Sequence, residues 1–329
     1  MENLLEIKNM SVTFLNEKSS VKVIDDLSFS LAKGEVLGIV GESGSGKSVT
    51  SLAVMKLLIE QSSRVEGIIN FEGTDLNKLS EKEMQSVRGN QIAMIFQEPM
   101  TSLNPIQPCG KQIMESLLLH KKLSKKEAKQ KAMELLTICG IPAPEQRFNE
   151  YPHQMSGGMR QRIMIAIALA CGPKLLIADE PTTALDVTIQ AQILDLMKHL
   201  KEKIDMSIMM ITHDLGIVVD TCDRVIIMYT GQIVESAAVR DIFKSPKHPY
   251  TKGLINAIPK LDRTAKRLEV IEGMVPDSDK MPQGCHFNPR CPYASDRCRR
   301  EMPPFIQLDG NRSVRCFLFE DEGKGENTQ

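Results

Sequence analysis

The stretch that most constrains the fold is an apolar run, a glycine-rich turn and a helical pattern in direct succession. "EVLGIV" at 35–40 is apolar at successive positions, which is typical of a strand buried on both faces. "GESGSGKS" at 41–48 follows it, and "KSVTSLAVMKLLI" continues from residue 47 with helical spacing. Glycines at such a turn let backbone N–H groups point inward at a helix N-terminus, where they bind anions. The stretch therefore predicts a phosphate-binding loop between a buried strand and a helix.

The turn matches the G-x-x-x-x-G-K-[ST] pattern of nucleotide-binding loops. This pattern assigns Lys47 to the β- and γ-phosphates and the Ser48 hydroxyl to Mg²⁺, so ATP and Mg²⁺ are the expected ligands. A Gly/Ser-rich turn without a ligand is the alternative interpretation. The residues predicted to contact nucleotide here are Gly41, Ser43, Gly44, Ser45, Gly46, Lys47, Ser48, Val49 and Thr50.

A second candidate site is the acidic end of an apolar run, "KLLIADEPT", at 174–182. Two carboxylates at the end of a buried strand are costly unless they meet a cation or a positioned water. Asp179 suits the neighbourhood of Mg²⁺, and Glu180 suits orienting and deprotonating an attacking water. Taken alone, the pair is also compatible with a helix N-cap beside a solvated neighbour.

Short β-branched runs alternate with longer helical patterns, which indicates an α/β fold with parallel strands. "QIAMIF" at 91–96 and "SIMMIT" at 207–212 are further candidates for buried strands. The first 31 residues alternate more regularly and predict an antiparallel β edge. Residues 104–156 have a helical pattern with many Lys and Glu, which predicts a helical insertion.

The stretch "QMSGGMRQRIMIAIALA" at 154–170 resembles the signature motif of ATP-binding-cassette (ABC) ATPases. The resemblance implies that Ser156, Gly157 and Gly158 bind the γ-phosphate of a nucleotide held by a second ATPase subunit, so that two cassettes act head to tail. A simple Ser/Gly helix N-cap is the alternative for this stretch taken alone. The commonest signature has Gln where this chain has Met159. The implied contacts come from the three preceding residues, so this departure need not abolish activity.

Further ABC elements follow in the expected order. The resemblance assigns Gln97 in "MIFQEPMTSLNP" to the Q-loop, which senses Mg²⁺ and water, and His213 in "MMITHDL" to the γ-phosphate. It assigns Asp186 in "PTTALDV" to the D-loop and Phe14 to adenine stacking, although a half-buried strand residue is an equal interpretation of Phe14. The implied catalytic set is Glu180, His213, Lys47 and Gln97, and the implied Mg²⁺ set is Ser48, Gln97 and Asp179.

The C-terminal part of the chain resembles a narrower group. "KHPYTKGLINAIP" at 247–259 and "GCHFNPRCPYASDRC" at 284–298 are similar to the ATPase subunits of oligopeptide and dipeptide importers. This resemblance implies a peripheral, transport-coupled ATPase on the cytoplasmic face of the membrane. Its implied partners are a second, distinct ATPase subunit, two membrane permeases and an external peptide-binding protein. Import of nickel or a metal chelate is the alternative cargo.

The fold implied by the resemblance is an ABC ATPase: a P-loop NTPase core with an antiparallel β edge and a helical insertion. A small Cys/Pro-rich C-terminal region follows. The expected boundaries are 1–260 for the ATP-binding domain, with a helical subdomain at about 104–172, then 261–320 for the C-terminal region and 321–329 for a disordered tail.

Four cysteines in the C-terminal region are candidate metal ligands. Their spacing, C-x5-C-x6-C-x17-C, does not match the close pairs of structural zinc sites. The resemblance implies a [4Fe–4S] cluster, and free thiols are the alternative. The predicted cluster ligands are Cys285, Cys291, Cys298 and Cys316.

The charge balance argues against a nucleic-acid partner. Lys and Arg total 41 against 42 for Asp and Glu, a formal net charge of -1, which gives no basic footprint. A soluble ABC ATPase acting on ribosomes or DNA is therefore the weaker alternative function. The N-terminus lacks the pattern of a secretory signal, and no run approaches the ~20 apolar residues of a membrane-spanning helix.

Overall fold

The computed structural model describes residues 2–15, 19–183, 185–258 and 270–321. The strands, numbered in chain order, are β1 (Asn3–Leu15), β2 (Ser20–Ala32), β3 (Val36–Val40), β4 (Ser63–Phe71), β5 (Thr74–Asp75), β6 (Ile92–Ile95), β7 (Leu175–Asp179), β8 (Ser207–Thr212), β9 (Arg224–Tyr229), β10 (Gln232–Ala238), β11 (Ile306–Gln307) and β12 (Ser313–Val314). The α-helices are α1 (Lys47–Val54), α2 (Glu81–Val87), α3 (Pro99–Ser102), α4 (Cys109–Lys121), α5 (Lys125–Ile138), α6 (Pro144–Arg147), α7 (Gly157–Leu169), α8 (Val187–Ile204), α9 (Leu215–Thr221), α10 (Val239–Lys244), α11 (Pro249–Asn256) and α12 (Asp296–Arg300). None of these described helices is both long and apolar enough to cross a lipid bilayer.

The described residues divide into two compact units. The first unit contains those of Met1–Leu4, Leu31–Glu35 and Lys78–Ile211, and the second contains those of Leu5–Ser30, Val36–Asn77 and Thr212–Gln329. The phosphate loop predicted at 41–48 lies in the second unit, and the acidic strand end at 174–182 lies in the first.

The sheet of the first unit is parallel. β6 pairs with β7, and β7 pairs with β8, with Leu175 opposite both Ile92 and Ser207. Residues along all three strands are buried, as expected for strands covered on both faces. The strands predicted at 91–96, 174–179 and 207–212 are confirmed to within one residue at each end.

The predicted helical insertion is a set of separate helices in the first unit. α4 packs against α5 and α7, and α5 also packs against α7. Lys122 and Gly140, both with positive φ, follow the ends of α4 and α5 and turn the chain. Ser124 begins α5 with a capping box, because its hydroxyl accepts from Glu127 N and its own N–H donates to the Glu127 carboxylate.

The second unit holds two sheets. One has the order β2-β1-β4-β5, with β1 and β4 antiparallel, so the predicted antiparallel edge is a sheet of its own. The other has β11-β12-β10-β9-β3 in order, and β3 pairs with β9 in parallel. β3 is buried at every position, which confirms the strand predicted before the glycine-rich turn.

The described C-terminal part of the chain packs onto the second unit and adds to its sheet. β12 pairs with β10, where Val314 lies opposite Glu235. Glu235 is fully buried, and its carboxylate accepts from the Arg312 guanidinium at 2.8 Å. The ring centroids of Tyr229, Tyr250 and Phe287 lie 4.7–5.4 Å from one another. Phe287 thereby connects the C-terminal part of the chain to the hydrophobic core of the second unit. The sequence predicted a small Cys/Pro-rich region here but not the added strands β11 and β12.

Two predicted boundaries fall outside the described residues. The end of the ATP-binding domain at residue 260 lies within 259–269, and the tail predicted at 321–329 lies, except for its first residue, beyond Asp321.

Candidate functional site

The glycine-rich turn connects β3 to the first residue of α1, and its glycines are favoured either by the space around them or by their backbone conformation. A Cβ on Gly41 would collide with the Met228 carbonyl oxygen and lie 2.6 Å from Ser45 Oγ. Gly44 and Gly46 have φ of +80° and +95°, a backbone conformation that side chains disfavour. The loop therefore leads directly into the N-terminus of α1, where backbone N–H groups are suited to an anion.

Lys47 is the charged group of this loop and is only 6% exposed. Its Nζ donates to the carbonyl oxygens of Gly41 and Glu42 at 2.8 and 3.0 Å, and to Ser45 Oγ at 3.4 Å. Thr50, fully buried, donates from Oγ1 to the Gly46 carbonyl. The described contacts thus hold the ammonium against carbonyl and hydroxyl oxygens of the loop. Of the other predicted contact residues, Ser43 and Gly44 are exposed, and Ser48 and Val49 are half-buried.

Glu180 follows β7 in an uncommon backbone conformation, with φ of 47°. Its Oε2 accepts from Gln97 Nε2 at 3.0 Å and from Thr183 Oγ1 at 2.8 Å, so two neutral donors fix the carboxylate. Asp179, one residue earlier, is 5% exposed. A non-glycine residue held at positive φ at a strand end is a conformation that concentrates at functional sites.

The predicted signature residues lie at the N-terminus of α7. Ser156 is the N-cap, and its Oγ accepts from Met159 N at 3.3 Å. A Cβ on Gly158 would lie 3.0 Å from Ile189 Cγ2 on α8, so a side chain there would crowd Ile189. A Cβ on Gly157 would have no neighbour within 4 Å, so nothing within the described chain requires glycine at that position. The N-cap interpretation therefore accounts for Ser156 but not for Gly157.

The remaining predicted residues lie at element ends or edges. Asp186 is the N-cap of α8 and accepts from Ile189 N at 2.9 Å. His213 is exposed directly after β8. Phe14 is half-buried on β1 opposite Ser63, a position that fits either interpretation given above. The first unit holds Gln97, Ser156, Gly157, Gly158, Asp179, Glu180 and Asp186, whereas the second holds Phe14, the phosphate loop and His213.

The four C-terminal cysteines are free thiols that line one cavity of about 220 Å³. Cys285 N donates to the Cys298 carbonyl at 2.8 Å, which closes the segment on itself. Burial raises the pKa of Cys285 and of Cys316 to about 11. Burial also raises the pKa of Cys291.

The predicted [4Fe–4S] cluster is wrong for this arrangement. Over residues 2–15, 19–183, 185–258 and 270–321, no group of three or more His, Cys, Asp or Glu side chains is placed so that it could hold a metal ion. Burial also favours the protonated thiols of Cys285, Cys291 and Cys316, whereas a metal ligand must be a thiolate. The metal centre that the resemblance implied at Cys285, Cys291, Cys298 and Cys316 is therefore not formed by their geometry.

Two residues that the sequence did not single out contact the phosphate loop. Tyr250 Oη accepts from Glu42 N at 2.9 Å. The Arg290 guanidinium donates to both Glu42 carboxylate oxygens, at 2.7 and 3.1 Å. Arg290 and Glu42 are 248 positions apart, and no local pattern connects them.

The sequence matches two families of known proteins. Residues 24–183 match the family model described as "ABC transporter", and residues 234–298 match "Oligopeptide/dipeptide transporter, C-terminal region". The chain is 52% identical over 324 residues to the oligopeptide transport ATP-binding protein AppD of Bacillus subtilis, covering 98% of this chain and 99% of AppD. The chain belongs to the ABC transporter family.

One further relative and one solved structure agree with this family assignment. It is 52% identical over 314 residues to the dipeptide transport ATP-binding protein DppD of Haemophilus influenzae, covering 95% of this chain and 94% of DppD. Among solved structures it resembles the ATP-binding cassette MJ0796, a dimer in a post-hydrolysis state bound to ADP and Pi. That match has a TM-score of 0.65 and 27% identity, over 72% of this chain and 99% of MJ0796.

Proposed function

We propose that this chain hydrolyses ATP to energise the import of peptides through a membrane ABC transporter. The observation that carries the proposal is the loop at 41–48, in which Gly41 has no room for a side chain, Gly44 and Gly46 have positive φ, and Lys47 is held buried. The relatives supply the cargo class, because AppD and DppD are named for oligopeptide and dipeptide transport and match almost the whole chain.

The phosphate loop binds the triphosphate. N–H groups at the N-terminus of α1 and the Lys47 ammonium are donors suited to phosphate oxygens. Phe14 stacks on the adenine, in this proposal, from its half-buried place on β1.

Mg²⁺ suits the oxygen donors that the resemblance assigned to it. Ser48, Gln97 and Asp179 would hold it through a hydroxyl, an amide oxygen and a carboxylate, which are the hard ligands that Mg²⁺ prefers. When bound, the ion neutralises negative charge on the phosphates.

Glu180 is the group proposed to orient and deprotonate the attacking water. Its carboxylate is fixed by Gln97 and Thr183, and its backbone by a hydrogen bond from Glu180 N to the Ile211 carbonyl. A base whose orientation is fixed before the reaction needs little rearrangement to accept a proton. His213 is assigned to the γ-phosphate.

A second ATPase subunit completes the site. Ser156, Gly157 and Gly158 bind the γ-phosphate held by the partner, and Asp186 faces the same junction in this proposal. The open space at Gly157 supports this assignment, because glycine there serves no contact within the described chain. The dimer reported for MJ0796 also supports it. We assign the partner to a related but distinct chain, which gives a heterodimer.

The remaining partners and the location follow from the same family. Two permeases and an external peptide-binding protein complete the importer, and this chain lies peripherally on the cytoplasmic face of the membrane. The proposed organisation is an ATP-binding domain at 1–260 with a helical subdomain at 104–172, then a Cys/Pro-rich region at 261–320. The match of residues 234–298 to the oligopeptide/dipeptide C-terminal family supports the last of these.

The test is transport by the intact complex. The chain is purified with its membrane partners and reconstituted in vesicles, with the peptide-binding protein and a defined set of di- to pentapeptides outside and MgATP inside. Peptide-dependent ATP hydrolysis together with peptide uptake is the expected result, and both are lost in Glu180→Gln. Hydrolysis that no peptide stimulates, with uptake of a metal chelate instead, would reject the peptide cargo but leave the ATPase.

A further inference from the structure

Glu42 places a negative charge inside a loop built to bind anions. It lies directly after Gly41, and its backbone carbonyl accepts from Lys47 Nζ at 3.0 Å. Its side chain is 30% exposed, so the carboxylate is partly shielded from water. An uncompensated carboxylate here would repel a polyphosphate and offer Lys47 a competing partner.

Arg290 compensates this charge. Both of its terminal nitrogens donate to the Glu42 carboxylate, at 2.7 and 3.1 Å, which is the paired geometry that fixes both position and orientation. The Arg290 side chain is only 4% exposed. The adjoining carboxylate raises the pKa of the guanidinium, which therefore stays charged.

The C-terminal segment itself holds Arg290 in place. Arg290 Nε donates to the Glu272 carbonyl at 3.1 Å, and its guanidinium lies 5.8 Å from the ring centroid of Tyr229 and 6.0 Å from that of Phe287. Tyr250 fixes the backbone of the same acidic residue by accepting from Glu42 N. The phosphate loop is thus held from outside by residues that follow it by more than 200 positions.

We propose that Arg290 is a positioning residue for ATP binding: it holds and neutralises Glu42, so that the loop presents N–H groups and Lys47, and no free carboxylate, to the phosphates. The inference rests on the proposed ATPase function. It assigns the C-terminal segment a direct part in nucleotide affinity, through a contact within the second unit.

The test compares single and double variants of the full-length chain by titration with MgATP. Arg290→Ala is expected to weaken ATP binding about tenfold or more, because removing one partner leaves the other charge uncompensated. Glu42→Gln is expected to leave affinity within about threefold of wild type while lowering the unfolding temperature, since the buried Arg290 then lacks its partner. The double variant is expected to bind ATP within about threefold of Glu42→Gln, because no carboxylate remains to compete.

Two controls separate this role from a structural one. Arg290→Met keeps the apolar stem beside the rings, so it serves if Arg290→Ala does not fold, and its ATP affinity is expected to fall likewise. Arg297→Ala removes an exposed ion pair with Glu301 and Glu320 in the same segment and is expected to leave affinity unchanged. Adenosine, which lacks phosphates, is expected to bind all variants equally.

Each outcome decides one question. A double variant as weak as Arg290→Ala would overturn the proposal, because Arg290 would then act by packing alone. Unchanged ATP affinity in folded Arg290→Met would overturn it as well. Failure of the wild type to bind MgATP at all would instead reject the proposed function, and Lys47→Ala in the same titration identifies the loop as the binding site.

Discussion

Gln97 Nε2 donates a hydrogen bond of 3.0 Å to Glu180 Oε2, joining residues 83 positions apart. Thr183 Oγ1 donates to the same carboxylate oxygen at 2.8 Å, and the Glu180 backbone is held at φ 47°. The carboxylate proposed to activate water is therefore tied to the Q-loop residue that the family assigns to Mg²⁺ and water. A movement of Gln97 changes the orientation of the proposed base directly.

Glu180→Gln is expected to retain ATP binding and to lower hydrolysis about 10²–10⁴-fold, the usual contribution of a positioned base. The amide can still accept from Gln97 and Thr183, so the local structure should persist. Phosphate release and nucleotide titration on the same sample provide the measurement. Glu202→Gln on the exposed face of α8 is the matched control, and near-normal turnover in Glu180→Gln would remove Glu180 from the mechanism.

Lys47→Ala is expected to weaken MgATP binding about ten- to hundredfold, because hydrogen bonds to charged groups contribute about 1.5–3 kcal/mol. Equilibrium titration with a fluorescent ATP analogue gives the affinity. Lys131→Ala on α5, which removes an exposed ion pair with Glu134, should not change it. Equal affinity in the Lys47 variant would mean that phosphate binds elsewhere.

Gly157→Ala and Gly158→Ala are expected to have different effects, although the residues are adjacent. Gly158→Ala should lower the free energy of unfolding by about 1–3 kcal/mol, because its Cβ meets Ile189 at 3.0 Å. Gly157→Ala should change it by less than about 0.5 kcal/mol, because its Cβ meets nothing within 4 Å.

If Gly157 faces a partner's nucleotide, Gly157→Ala should nevertheless impair ATP-dependent hydrolysis by the assembled pair. Chemical unfolding of the isolated chain and ATPase assays of the complex measure the two effects separately. Full hydrolysis in the Gly157 variant would favour the simple N-cap interpretation of this stretch.

The buried imidazole of His248 leads us to expect that the folded protein loses stability in acid. Burial lowers the pKa of this imidazole from 6.5 to about 3, and its Nδ1 accepts from Tyr250 N at 3.0 Å. Between these pH values the unfolded chain binds a proton at this position that the folded chain does not, so the free energy of unfolding falls as the pH decreases. Burial also lowers the pKa of His286, which contributes in the same direction.

His248→Asn should reduce this pH dependence, because an asparagine side chain can still cap α11 but does not titrate. Denaturant unfolding at pH values from about 4 to about 7, which run from the ordinary pKa of carboxyl groups to that of histidine, gives the free energy of unfolding as a function of pH. His199→Asn, on the exposed face of α8, should leave the slope as in the wild type. An unaltered slope in His248→Asn would assign the acid sensitivity to other groups.

The sequence predicted those features whose signals are local. The strand before the phosphate loop and the three buried strands of the first unit each depend on a short pattern of apolar residues, and the helical pattern at 104–156 predicted helices there but not their division into separate segments. The ion pair between Arg290 and Glu42 left no such signal, because its partners are brought together only when the C-terminal segment packs on the core.

For the four C-terminal cysteines, the prediction of a metal cluster was wrong. The resemblance implied a metal cluster, but a resemblance in sequence does not determine how four side chains converge in a segment with little regular structure. For Ser156 the sequence left two interpretations open, because a residue that caps a helix and one that binds a phosphate have the same sequence pattern; the structure shows the cap.

The pairing of β12 with β10 also has a consequence for synthesis on the ribosome. Glu235 is fully buried, and its carboxylate accepts from Lys247 N and His248 N as well as from Arg312, which emerges 77 positions later. A nascent chain that has reached Glu235 therefore needs 77 more residues before Arg312 can complete this edge. Chaperone protection of the unfinished edge is expected to matter most during that interval.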